Sequence, residues 1–188
     1  VVTVRNSAVL LGDNRVNSHA ADQMVTEGML RLTGESGADA AWKKLFSTGD
    51  VVGIKVNAMG GMPSATHTGV VDAIIAGLKK AGIRDENIIV WDRLTDELQK
   101  AGYVINRSGP GARCFGTDRD YDPYPETAGS IGSCFSALVS SRCTALINVP
   151  VLKDHDLSGV SLGLKNFYGA IHNPNKYHDH NCDPYIAD

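Results

Sequence analysis

Apolar positions along this chain change their period several times, and each change predicts an element. Over residues 19–33, HAADQMVTEGMLRLT, the residues Ala21, Met24, Val25, Met29 and Leu32 recur at helical spacing, with Ser18 placed to cap the start. A second short helix is predicted for ADAAWKKLF (38–46). The helical period then disappears. GDVVGIKVN (49–57) is apolar almost without a break, as a strand covered on both faces must be. THTGVVDAIIAGLKKAG (66–82) restores the helical period through Val70, Ile74, Ile75 and Leu78. Thr66 is placed to cap this helix, Lys79 and Lys80 suit the negative end of its dipole, and Gly82 closes it.

ENIIVWD (86–92) predicts the next strand, TDELQKAG (95–102) a helix, and YVIN (103–106) a third strand. Strand, helix, strand, helix, strand is the order of a parallel sheet with crossover helices. Residues 107–130 lose all periodicity and read as a long loop, of the kind that tends to be functional or disordered. SCFSALVSS (133–141) predicts a helix and TALINVP (144–150) another buried strand, while the last forty residues have no clean period. The fold expected is a single α/β domain, doubly wound, its mainly parallel sheet flanked by helices on both faces. Residues 49–188 form it, and residues 1–48 pack on it as a helical segment.

The chain has 188 residues, 43% of them hydrophobic, enough for one domain with its own core. A net charge of −3 and the lack of any basic run argue against nucleic-acid binding, which leans on a basic surface. No apolar stretch approaches the roughly 20 residues that span a bilayer. The chain opens without Met on what reads as mature sequence, which favours an exported protein with its leader removed over a cytoplasmic one. NCDPYIAD ends with neither a helix nor a polar tail and reads as truncated. Four cysteines, Cys114, Cys134, Cys143 and Cys182, contain no CxxC pair, so neither a zinc knuckle nor a ferredoxin cluster is written here. Two disulfides and buried free thiols both remain open.

In open parallel sheets, ligands bind beyond the carboxyl ends of the strands. The polar residues of this chain fall there. The first strand ends in Lys55-Val-Asn57, the second in Trp91-Asp92-Arg93, and the fourth runs through Pro150 to Lys153-Asp-His155. His67 follows Thr66 at a helix start, and Lys165-Asn166 lies ten residues beyond His155. Lysines and neutral imidazoles gathered in one crevice suit a carboxylate or phosphate held by charge-assisted hydrogen bonds. Close lysines also depress one another's pKa, which makes a base or nucleophile feasible near neutral pH. Lys153, His155, Lys55 and Asp92 are therefore the candidate catalytic residues, and Asn57, His67, Lys165 and Asn166 the candidate substrate-binding ones.

The tail carries a second constellation. His178-x-His180-x-Cys182, followed by Asp183, puts several ligand types on one side of an extended strand, as zinc, iron or nickel would use. GGMPSATH is neither GxGxxG nor a Walker A loop, so no nucleotide motif is present.

Several blocks together resemble the domain of unknown function 362 family. They are VGIKVNA, the histidine at a helix start, ENIIVWDR, LINVPVLKDH, SGVSLGLKNFYGAI and CDPYIAD, and they run from about Val51 to the C-terminus. The resemblance implies an α/β domain of bacterial or archaeal origin, often associated with iron–sulfur ferredoxin modules and in some relatives exported by the twin-arginine route. It also implies that the segment through Cys182, Asp183 and Pro184 belongs to the family pattern. The ferredoxin-type cysteine blocks of some relatives are missing here.

Three functions are consistent with these residues. The first is an enzyme acting on a small anionic substrate, redox-linked or metal-assisted. Another is a non-catalytic metal-binding accessory of a ferredoxin-like or oxidoreductase partner, and the third is a structural or assembly component.

Overall fold

The computed structural model describes residues 1–13 and 15–188. Its centre is a four-stranded parallel sheet of β1 (Val52–Val56), β2 (Ile88–Trp91), β3 (Arg113–Cys114) and β6 (Ala145–Val149), in the order β3-β2-β1-β6. Helices surround it, so the chain is a mixed α/β single domain of the doubly wound kind. Each residue of β1 is buried, as its unbroken apolar run requires.

Val52, Ile54 and Val56 point to one face, where they pack with Ile88, Val90, Val71, Ile74 and Leu78. That face is covered by α3 (Thr68–Lys80), and α1 (Ser18–Thr33) and α2 (Ala38–Leu45) lie against α3. Trp42 of α2 reaches so close to α3 that a Cβ on Gly77 would collide with its indole. On the opposite face Ile89 and Trp91 pack with Phe115, Leu138 and Ala170. This side is covered by one π-helical turn (Leu138–Arg142), α5 (Gly163–Asn166) and a 3-10 turn (Phe167–Ala170).

Helix starts differ from their predicted caps by one residue. Asn17, not Ser18, caps α1, accepting from the N–H groups of His19 and Ala20. Thr66 does not cap α3, which starts after His67. Its hydroxyl instead accepts from Asn57 N at 2.9 Å and donates to Val149 O at 2.7 Å, joining the ends of β1 and β6. α4 (Thr95–Lys100) forms where TDELQKAG predicts it.

The third strand is Arg113–Cys114 rather than YVIN, which contributes only an isolated antiparallel bridge from Asn106 to Cys114. The long loop contains this strand and half of a hairpin, β4 (Glu126–Ala128) with β5 (Ile131–Ser133). Only the second half of SCFSALVSS is helical: its first residue ends β5, and the helical residues start at Ala137 and continue into the π turn. After β6 the chain leaves the sheet and forms a separate antiparallel hairpin, β7 (Lys153–His155) with β8 (Gly159–Ser161). All four cysteines are free thiols, two of them buried. Among the described residues no helix is long and apolar enough to cross a membrane.

Candidate active site

Parallel pairing puts Lys55 level with Trp91 on one side and Asn148 on the other, so all three point to the face opposite α3. There the Lys55 ammonium, 5.6 Å from the centre of the Trp91 ring, meets three acceptors. It lies 2.6 Å from the Asp92 carboxylate and donates to Val56 O at 2.7 Å and Asn166 Oδ1 at 3.3 Å. Those contacts use its three protons. Asp92 in turn accepts from the N–H groups of Ala58 and Arg93, both at 2.7 Å. The amide of Asn166 donates to Asn148 Oδ1 at 2.8 Å, while Asn148 donates to Gly163 O at 2.7 Å, which fastens α5 to β6. Gly169 closes over the ion pair: a Cβ there would stand 2.8 Å from both Asp92 Oδ1 and Lys55 Cε.

Lys153 reaches across from β7. Its ammonium donates to Asn57 Oδ1 at 2.9 Å, Met59 O at 2.8 Å and Ser64 O at 3.2 Å, holding the loop after β1. All three acceptors are neutral. Burial lowers the Lys153 pKa, offset in part by Asp92, Asp154 and Glu97. Lys165, on α5, lies 3.0 Å from His178 Nε2 and 4.5 Å from the Tyr168 ring centre. Burial lowers its pKa as well, helped by Lys153 and opposed by Cys182. Loss of water is thus the main cause of both shifts, and repulsion between lysines adds only to that of Lys165.

His178 Nδ1 lies 2.9 Å from Pro174 O, a contact only an N–H can make, so its Nε2 offers Lys165 a lone pair. The His155 ring stacks on His178 at 5.4 Å between centroids. Its Nδ1 accepts from the N–H groups of Leu157 and Ser158, which leaves the proton of the neutral ring on Nε2. Both imidazoles are held below their usual pKa, by burial first and by Lys165 next.

These groups line a crevice of about 110 Å³, into which Lys55, Asn57, Asp92, Lys153, His155, Lys165 and Asn166 all project. The structure thus brings together seven of the eight residues predicted for catalysis or substrate binding. His67 is the exception. It lies at the start of α3, beside a separate cavity of about 380 Å³ with Arg15, Met62 and Asp72. Arg93, Glu97 and His178 are among the further residues that line the crevice without being expected there. Arg93 is legible from its place directly after Asp92 at the strand end.

The tail does not form the predicted extended ligand strand. It is a kinked 3-10 segment (Pro174–Cys182) in which His180, Asn181 and Cys182 take positive φ, so alternate residues do not share a side. His178 turns inward to Lys165 and Cys182 is buried, whereas His180 and Asp183 are exposed. Among the described residues no three His, Cys, Asp or Glu side chains come together as a metal cage. The residues present therefore do not fit a transition metal there.

No curated protein and no solved structure matches this chain. The model of the family described as Domain of unknown function (DUF362) matches residues 52–187, which span the sheet, the crevice and the tail, and the chain belongs to that family.

Proposed function

We propose that the crevice binds a small anionic substrate, a carboxylate or a phosphate, and that the protein is an enzyme moving a proton on it. One observation carries this reading. Lys153 and Lys165 are half-buried ammonium groups, and neither is ion-paired among the described residues: their partners are carbonyls, an amide and an imidazole. A cation taken partly out of water with only neutral partners strongly favours an incoming anion.

Lys55 and Asp92 have a different part in this reading. With its protons committed, Lys55 holds the crevice wall and leaves substrate to the other two lysines. Lys165 and His178 are the proton-transfer pair. The Pro174 carbonyl fixes the imidazole so that its Nε2 lone pair can take a proton from the bound substrate, and the Lys165 ammonium beside it can supply one to that substrate. His155 presents an Nε2–H for a developing negative charge.

Thermal melting in the presence of acetate or inorganic phosphate tests the binding step. Either anion should raise the Tm of the wild-type protein, and Lys165→Gln and Lys153→Gln should lose most of that rise. Equal stabilisation of all three proteins would overturn the reading.

A further inference from the structure

The charges around the crevice do not cancel. Four cations, Lys55, Arg93, Lys153 and Lys165, face two carboxylates, Asp92 and Glu97. Asp92 is already consumed by Lys55. What remains is Arg93, Lys153 and Lys165 against Glu97, whose carboxyl is pushed up by burial and by Asp92 and so ionises less readily.

Arg93 is the member with the most unused donors, having five N–H groups to place. Its Nε is buried without a hydrogen-bond partner among the described residues. One terminal nitrogen reaches His172 O at 3.5 Å, and the Tyr121 phenol lies beside the group. No ion pair involves it among the described residues. Buried polar groups are nearly always hydrogen-bonded, so an arginine left short at the wall of a cationic crevice calls for an explanation. A guanidinium fork matches the two oxygens of a carboxylate or phosphate, which an ammonium does not.

We infer that the ligand is a compact dianion, either a short dicarboxylate or a phosphate group, with Arg93 as its second anchor beside Lys153 and Lys165. This rests on the anion reading of the crevice. The two chemistries share two negative charges in a small volume, which suits a crevice of about 110 Å³.

The test compares acetate, malonate and inorganic phosphate as probes at pH slightly above neutral, by calorimetric titration of the wild type, Arg93→Gln, Arg93→Lys and Lys165→Gln. Malonate or phosphate should bind the wild type at least about tenfold more tightly than acetate, since a second charge-assisted contact is worth that much. Arg93→Gln should erase the preference by weakening malonate or phosphate at least about tenfold more than acetate, and Arg93→Lys should restore only part of it. A response to malonate alone identifies a dicarboxylate, and one to phosphate alone a phosphate group. Equal affinity for acetate and the dianions in the wild type would overturn the dianion inference and leave the anion site standing. The inference would also fall if Arg93→Gln weakened all three probes alike in a protein with an unchanged circular dichroism spectrum. Binding that survives in Lys165→Gln, or is absent from the wild type, would overturn both readings.

Discussion

The ammonium of Lys55 lies 2.6 Å from the carboxylate of Asp92, with the two side chains 1% and 7% exposed. The pair joins the ends of two neighbouring strands beneath the crevice. Removing one partner leaves the other charged and buried, a far worse state than removing both. Lys55→Met should therefore destabilise the protein by about 3–5 kcal/mol, and the double variant Lys55→Met/Asp92→Leu by clearly less. Urea unfolding measures both. A single-variant loss below about 1 kcal/mol would mean that water reaches the pair.

Gly169 explains why the chain can pass so close to that pair. With a Cβ at 2.8 Å from Asp92 Oδ1 and from Lys55 Cε, the segment or the ion pair must move. Gly169→Ala is expected to cost about 1–3 kcal/mol and to weaken anion binding together with stability. Gly77→Ala is a useful companion, because the same steric conflict arises there with Trp42, away from the crevice. It should lose stability despite alanine's better helix propensity, and keep its anion affinity. Loss of binding in both variants would show that the Gly169 effect is only global.

Lys153 should matter to the loop it holds as well as to ligand. Its bonds to Met59 O and Ser64 O fasten an exposed turn, and Lys153→Gln shortens the reach to them. Faster limited proteolysis within residues 59–64 is expected, with a stability loss of about 1–3 kcal/mol. An unchanged digestion pattern would place the loop's anchorage elsewhere.

The histidines set a direction for pH. His155 and His178 are both held below the usual imidazole value of 6.5. The unfolded chain therefore takes up protons on these rings at a higher pH than the folded one. Below a pH of about 6.5 this uptake favours unfolding, so their contribution to stability falls as the solution is acidified and returns as pH rises through the unfolded value. His178→Asn should flatten the pH dependence of the urea midpoint in that window. A slope equal to that of the wild type would mean that His178 protonates as easily folded as unfolded.

Much of the site is legible in the chain's own pattern because it depends on strand ends. Lys55, Asp92 and Lys153 each follow an apolar run, and a parallel sheet delivers the carboxyl ends of its strands to one edge. A lysine inside such a run also implies a buried partner, which Asp92 supplies. His67 misleads for a related reason: the start of α3 lies after the same strand end, but the helix carries it to the other cavity. The third strand is not legible, because two residues, Arg113–Cys114, leave no period to detect.

The sequence by itself determined what short-range order can specify: the buried strands β1 and β2, the amphipathic α3, and the edge at which charged groups gather. These follow from the burial of apolar residues at fixed spacing, a property of each segment alone. Strand β6, expected buried, is instead an edge strand with Leu146 exposed. Only the tertiary structure decided which charges neutralise one another. His178 became the partner of Lys165, Arg93 was left without a counter-charge among the described residues, and the tail turned back as a 3-10 segment instead of extending. Such pairings depend on distances between segments far apart in the chain, and electrostatic and hydrogen-bond energies are set by those distances and by the water excluded around them.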